Sequence, residues 1–341
     1  MKVSEGNEGR VPTPRPGDEP KAQAPAVKEV DFPPAQNGVD YLNNVADQLR
    51  LGQPTPRNLK YAVLHLQAAA EVLLKARLVQ EHWSLVFRDP GTARRDRFEA
   101  GDFDSCTTTG AIGRLRDIAS VPIGDKPAKS LAILAKWRNR LQHYGLKAPA
   151  PAVEVCAAQV LDFLVTFVHD ELLPALPNPE SAAVADDLES VGMKVRGITS
   201  YMETRLKRLA DELKDVQDRT LMCPVCEQWA VVIGGGTATL NCRFCHMAWA
   251  GPNEALTDYY DVFAWRDGNV QECPDCHQHT LLVDGVSTAT APEERLTMCF
   301  CCGAEFSVIA QCSDCLNTYA PTEDDDLGMC GDCLDARYAK F

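Results

Sequence analysis

Hydrophobic side chains recur at steps of three and four residues over much of the first 175 positions, which is the period of an amphipathic helix. This spacing predicts a first long helix from about Asn58 to Gln80, after two helix-breaking prolines. No useful segment alternates with the period of two that half-buried strands show. Residues 36–180 are therefore predicted to form an all-α bundle. Its later helices are predicted at 110–120, 128–144 and 153–173.

The first 35 residues are rich in proline, glycine and charge and contain little to bury, which predicts a disordered tail. The start of the chain has no apolar segment of the kind found in secretory leaders. The most apolar run, Val160 to Val168, is too short to span a bilayer and contains Asp162. These features predict a cytoplasmic location without a membrane segment.

A seam of apolar residues runs through residues 181–220, a segment without proline. The seam follows a 4-3-4-3-4 spacing from Val184 to Met202 and resumes from Leu206 to Val216 after one extra four-residue step. Such spacing is typical of a coiled coil with a stutter. It also fits a long amphipathic helix packed on its own bundle. Both interpretations predict one long helix here.

Twelve of the fifteen cysteines form six Cys-x-x-C pairs after residue 220. Two-residue spacing lets a tight turn direct both sulfurs at one ion, and four thiolates satisfy tetrahedral Zn²⁺. The gaps within successive couples of pairs are 15, 22 and 14 residues, enough for a hairpin that returns the second pair. Residues 221–341 are therefore predicted to form three small β zinc-ribbon modules that bind about three structural zinc ions. The predicted ligands are Cys223, Cys226, Cys242, Cys245, Cys273, Cys276, Cys299, Cys302, Cys312, Cys315, Cys330 and Cys333.

The sequence leaves three points open about these ligands. Only nine residues separate Cys302 from Cys312, so the last two sites can follow in series or interleave as a cross-brace. Cys301 lies beside Cys302, although the two-residue spacing from Cys299 favours Cys302. Three histidines lie next to Cys-x-x-C pairs and can replace a thiolate or serve as ordinary turn residues. They are His246, His277 and His279.

Net charge narrows what the cysteine-rich region can bind. Residues 181–341 hold 12 Lys and Arg against 26 Asp and Glu, whereas residues 36–180 hold 17 against 16. Each zinc ion held by four thiolates adds a further net charge of −2. An acidic surface repels phosphates, which favours a protein-interaction or ligand-sensing module over a nucleic-acid clamp in this region. The zinc modules are predicted to bind a protein partner or the chain's own helical half.

The segment Leu134–Gly145 (LAKWRNRLQHYG) holds the most informative group of polar residues in the helical half. On a helix, Asn139 and His143 share the face opposite the apolar stripe, and Arg138 flanks that stripe. An arginine can stabilise charge on a phosphate, and a histidine can exchange protons with a ribose hydroxyl or a leaving oxygen. Cationic residues also stabilise the last turn of any helix, so this pattern alone does not define a site.

The segment Arg138 to His143 resembles the R-x4-6-H signature of the HEPN superfamily, with the polar residue that often follows the arginine. The helix Leu59 to Leu78 is also similar to the first long HEPN helix, and the resemblance covers roughly residues 40–175. The resemblance implies a metal-independent endoribonuclease of toxin, defence or CRISPR type whose active site forms between two copies. It implies His143 as general acid and base, Arg138 as the phosphate-stabilising cation and Asn139 as a polar helper.

The combined prediction is a multidomain homodimer with an RNA substrate. Each chain contains an all-α HEPN-like bundle, a long coiled-coil-like helix and a β zinc-ribbon array. The zinc-ribbon array is predicted to regulate or recruit the bundle. The alternative is a non-enzymatic adaptor whose helical domain dimerises and whose zinc modules bind a partner. Under either prediction, removal of zinc should unfold the modules and leave the helical half largely intact.

Overall fold

The computed structural model describes residues 31–50, 52–264, 269–322 and 327–339, so nearly all of the predicted disordered tail, 1–35, lies outside the described residues. Ten helices occur in the described part of the chain. They are α1 (Pro34–Leu49), α2 (Pro56–Glu81), α3 (Arg95–Ala100), α4 (Thr108–Asp117), α5 (Asp125–His143), α6 (Ala150–Phe167), α7 (Glu180–Val195), α8 (Thr199–Leu213), α9 (Pro252–Tyr259) and α10 (Gly331–Tyr338).

The first seven helices surround one hydrophobic core that is rich in leucine, valine and alanine. The predicted helix at 58–80 is α2, which starts two residues earlier because Thr55 and Asn58 form a capping box and Pro56 fits the first helical position. The predicted helices at 110–120, 128–144 and 153–173 correspond to α4, α5 and α6. The all-α character of the N-terminal half is thus confirmed, although α1 and α3 were not predicted.

Helix α6 and the two short helical turns after it, Ala150–Ala175, are long and apolar enough to cross a membrane by length and composition alone. However, 61% of the most apolar window is buried inside the molecule. Leu161 and Leu164 lie in the helical core, and Asp162 is bound by two arginines. Core helices of globular proteins share these properties, and α6 packs in this way as a core helix.

The prediction of one long helix over residues 181–220 is wrong. Helix α7 ends at Val195, α8 begins at Thr199, and residues 217–222 form a 3₁₀ turn followed by a strand. The first part of the seam, Val184 to Ile198, is buried in the core of the same chain, where α7 packs on α1. The seam therefore closes the chain's own bundle, and the helical core continues past residue 180.

The C-terminal region is built from short antiparallel strands. Three two-stranded sheets and one four-stranded sheet, with the order β5-β6-β7-β8, occur among the described residues. The strands are β1 (Thr220–Met222), β2 (Trp229–Val232), β3 (Leu240–Asn241), β4 (Ala248–Trp249), β5 (Asn269–Gln271), β6 (Leu281–Val286), β7 (Leu296–Cys299), β8 (Glu305–Phe306), β9 (Ala310–Gln311) and β10 (Thr318–Tyr319).

Helix α8 belongs to both halves of the molecule. Tyr201 lies in the helical core, whereas Leu209 and Leu213 lie in a second core with the β1–β4 strands and α9. Three buried side chains of the four-stranded sheet, Leu282, Val286 and Met298, extend this second core. The helical bundle and the first two cysteine-rich modules are therefore joined through buried apolar contacts.

Candidate metal centres and the Arg138–His143 motif

All twelve predicted ligands are brought together in three clusters of four cysteines, one after another along the chain. Within each cluster, the four sulfur atoms lie within 4.8 Å of one another. The first centre contains Cys223, Cys226, Cys242 and Cys245; the second contains Cys273, Cys276, Cys299 and Cys302; the third contains Cys312, Cys315, Cys330 and Cys333.

The sulfur separations fit one tetrahedral ion per cluster. The closest contacts between pairs are 3.7 and 3.8 Å in the first centre, 3.6 and 3.7 Å in the second and 3.7 Å in the third. A Zn–S bond of about 2.3 Å places tetrahedral sulfurs about 3.8 Å apart. A disulfide would require about 2.05 Å, and all of these cysteines are unpaired.

The clusters resolve the points that the sequence left open. The second and third clusters follow in series without interleaving, and Cys302, not Cys301, belongs to the second cluster. Cys301 is buried beside the cluster, and burial raises the pKa of its thiol. None of the three neighbouring histidines belongs to a cluster: His246 contacts Arg205, His277 contacts Glu272, and His279 is exposed.

Backbone amides in the Cys-x-x-C turns favour thiolates. Val225 donates its N–H to Cys223 Sγ at 3.4 Å, and Phe244 donates to Cys242 Sγ at the same distance. In the third centre, the backbone N–H groups of Cys315 and Cys330 lower the pKa of Cys312 to about 6. Because thiolates are the metal-binding form of cysteine, these turns are prepared for a metal ion.

The three centres differ in how well the protein covers them. Cys223 and Cys242 lie in the second core, and Cys273 and Cys299 form a small third core with Leu281. In the third centre only Cys312 is buried, and Cys315 is exposed. Solvent, chelators and oxidants therefore reach the third centre most easily.

We predict that a chelator removes one metal ion per chain at least about tenfold faster than the other two, because cover around a site controls access and affinity. Release can be followed with a chromophoric metal indicator. The Cys315→Ser variant should lose the fast phase alone, whereas Cys276→Ser should retain it. Equal release rates for the three ions would show that the difference in burial among the centres does not control metal loss.

A buried arginine joins the first metal centre to the helical bundle. The Arg205 side chain is fully buried on α8, and its Nη1 donates to Asp162 Oδ1 of α6 at 2.6 Å. Its Nη2 donates to the backbone oxygen of Arg243 at 3.0 Å and to Nε2 of His246. Arg243 and His246 lie in and beside the turn that holds Cys242 and Cys245. One side chain thus contacts both halves of the molecule.

Two imidazole rings lie at this contact between the halves, and Arg205, Asp162, His169 and His246 together are called the joint. The rings of His169 and His246 are stacked with their centroids 3.9 Å apart. Burial and the charge of Arg205 lower the pKa of His169 to about 4 and that of His246 to about 2. Both rings are therefore neutral near pH 7, and His246 can accept the hydrogen bond from Arg205.

We predict that Arg205→Met lowers the free energy of unfolding by about 1.5–3 kcal/mol, because it removes the donor to His246 and leaves Arg208 as the remaining arginine partner of Asp162. The matched control is Lys207→Met, an exposed position on the same helix, which should change it by less than about 0.5 kcal/mol. Urea unfolding followed by circular dichroism measures both variants. Equal stabilities of the two variants would show that the joint contributes nothing.

The predicted catalytic residues lie in the last turns of α5. Trp137 and Leu141 pack against the helical core, as the helical periodicity predicts, and leave Asn139 and His143 exposed on the other side. Arg138 is half-buried: its Nη1 donates to Asn139 at 3.0 Å and to Gln142 at 3.1 Å, and its Nη2 lies 3.7 Å from Glu71 Oε2. Within one chain, the arginine is thus held in place and the histidine is open to solvent.

Comparisons of the chain with protein-family models, with curated proteins and with solved structures found no match. The site residues that sequence reasoning missed are those of the joint, chiefly Arg205 and His169. A signal for them exists, because Asp162 interrupts the most apolar run in the chain and a buried carboxylate requires a cationic partner.

Proposed function

We propose that this protein is a cytoplasmic, metal-independent endoribonuclease of HEPN type whose active site forms between two copies. The observation that carries the proposal is the group formed on one helix end by the exposed Asn139 and His143 and the half-buried Arg138, with the arginine fixed by hydrogen bonds. The spacing of these residues also underlies the resemblance to the HEPN signature. A toxin or defence role follows from that resemblance.

The three side chains have distinct tasks in this proposal. His143 takes a proton from the ribose 2′-hydroxyl or returns one to the leaving oxygen, the work of a general acid and base. Arg138 stabilises charge on the phosphate, and its contacts with Asn139 and Gln142 leave further N–H donors of the guanidinium for that purpose. The products would carry a 2′,3′-cyclic phosphate and a 5′-hydroxyl.

Pairing is supported by an apolar groove beside the motif. The groove has a volume of about 500 Å³ and lies between α5 and α6, next to the half-buried Trp137. Ile133 and Val155 line it with 43% and 48% of their surface exposed. A second copy that covers this groove would bring two sets of Arg138 and His143 near each other, and twofold symmetry is the commonest closed assembly.

The three cysteine centres would hold structural zinc. Four thiolates fill the coordination sphere of Zn²⁺ and leave no open position for a substrate, so the ions stabilise the fold without entering the reaction. Zinc held in this way would fix the modules that regulate or recruit the helical half. Their acidic surface suits a protein partner better than RNA.

A non-enzymatic adaptor is the second candidate. One observation favours it: Arg138 lies 3.7 Å from the carboxylate of Glu71, which competes with a phosphate for the same cation. In this case the helical domain would pair, and the zinc modules would bind a partner, without any cleavage.

The deciding experiment incubates the full-length protein with mixed RNA in EDTA for a time too short for zinc loss. We predict cleavage whose rate per chain rises with protein concentration until the dimer is saturated, with cyclic-phosphate ends on the products. Light scattering on the same samples gives the mass of the active species. RNA that remains intact at every concentration would favour the adaptor. A monomer that cleaves at full rate would exclude the composite site.

A further inference from the structure

Five of the six Cys-x-x-C pairs form the same turn. In each, the residue after the second cysteine donates its N–H to the carbonyl oxygen of the first cysteine at 2.9–3.0 Å. That residue has a left-handed backbone conformation. The five residues and their φ angles are Glu227 (57°), His246 (60°), His277 (57°), Gly303 (77°) and Leu316 (64°).

Leu316 is the exception among these five residues. Left-handed backbone strains every residue that has a Cβ, and Leu316 is the one residue of the five with an apolar side chain. The Leu316 side chain is 66% exposed, so it gains little from burial in the folded chain. Glycine would relieve the strain, and a polar side chain would suit this exposed position at least as well, as in the other four turns. The folding of one chain therefore does not explain the leucine.

Two more exposed apolar side chains belong to segments that contact the same turn. Leu327, 61% exposed, precedes Gly328, whose carbonyl oxygen accepts the N–H of Ser313 at 2.9 Å. Tyr338, 70% exposed, follows Arg337, which donates to Asp314 at 3.2 Å. Leu316, Leu327 and Tyr338 are called the third-turn surface below. A group of exposed apolar side chains on a small module is typical of an interaction site.

The negative charge of the third zinc module indicates the charge of its partner. The module's described residues, 309–322 and 327–339, contain three Asp and Glu against one Lys or Arg, and a zinc ion with four thiolates adds a net −2. We propose that the third-turn surface docks a basic segment of another protein, one that also carries apolar side chains. The helical half of the chain has a net charge of only +1, so it offers a weaker complement than a basic partner does. This inference does not depend on the ribonuclease proposal.

A phage-displayed library of random dodecapeptides, selected on the full-length zinc-loaded protein, tests the proposal. We expect the enriched peptides to carry net positive charge together with apolar residues. Their affinity should fall at high salt, because charge attraction is screened. Enrichment of acidic or uncharged peptides, or no enrichment over an uncoated surface, would overturn the proposal.

The Leu316→Asn variant locates the binding site, because asparagine tolerates the left-handed conformation and keeps the turn. We expect the enriched peptides to bind this variant about tenfold more weakly or worse. Tyr338→Ser should also weaken peptide binding. A zinc content of three ions per chain would show that each variant is folded. The matched control is Glu227→Asn at the equivalent turn of the first centre, which should bind as the wild type does.

Two further outcomes would overturn the proposal. Equal peptide affinity for the wild type and Leu316→Asn would place the binding elsewhere. Self-association of the full chain that Leu316→Asn abolishes, seen by light scattering, would make a second copy the occupant of the surface.

Discussion

Replacement of His143 by alanine is expected to lower the rate of RNA cleavage by about 10²–10⁴-fold, the usual contribution of a general acid and base. The imidazole is exposed at the end of α5, so its removal creates no cavity in the core. The unfolding midpoint and the zinc content should therefore match the wild type. Initial rates on a fluorescent RNA, measured in EDTA at saturating protein concentration, provide the comparison.

His279→Ala is the matched control, since His279 is also exposed and lies beside the second metal centre, far from α5 in the chain. This variant should cleave at the wild-type rate. Arg138→Ala should be impaired like His143→Ala, because it removes the cation that faces the phosphate. If His143→Ala and His279→Ala cleave RNA equally well, the Arg138–His143 motif has no catalytic role. The non-enzymatic adaptor would then be the favoured function.

The sequence predicts the helical half well where the helical periodicity is strong. Helix α2 is found within two residues at its N-terminus because its leucines follow the helical period and a capping box marks its start. Helix α1 was missed, although Val39, Leu42, Val45 and Leu49 are buried at helical spacing. The proline-rich composition before it concealed this shorter pattern.

The seam in residues 181–220 shows why pattern alone misleads. The heptad spacing places Leu206 in the seam, yet that side chain is 40% exposed. The buried stripe of α8 instead contains Tyr201, Arg205 and Leu209 at four-residue steps. A pattern of apolar residues counts Arg205 as polar and shifts the inferred face. Its burial depends on Asp162 and His246, which are distant in sequence and invisible to local periodicity.

The metal centres were predictable to the residue because their geometry is local. A Cys-x-x-C turn fixes two ligands within four residues, so spacing alone identifies all twelve ligands, whereas the structure shows that the second and third clusters follow in series. The contact between the first centre and the helical bundle could not be predicted from the sequence. Because of this contact, we no longer expect the helical half to stay largely intact when zinc is removed.

Loss of the first metal ion is expected to destabilise the helical bundle as well as its own module. In Cys242→Ser, the turn that carries Arg243 and His246 loses an anchor, and a structural zinc site contributes about 10–16 kcal/mol in small zinc domains. Arg205 then loses two of its acceptors but keeps Asp162, which should lower the free energy of unfolding of the bundle by about 1–3 kcal/mol. Faster hydrogen exchange of the amides in α6 and α8 would report this loss.

Cys330→Ser is the matched variant, because it removes a ligand from the third centre, where the described residues include no comparable buried link to the bundle. Elemental analysis should show two zinc ions per chain in each variant, so the variants differ only in which centre is empty. Hydrogen exchange in α6 and α8 should rise in Cys242→Ser and stay at the wild-type level in Cys330→Ser. Equal exchange in the two variants would mean that Arg205 holds the bundle without help from the metal, and that the first centre stabilises only its own turns.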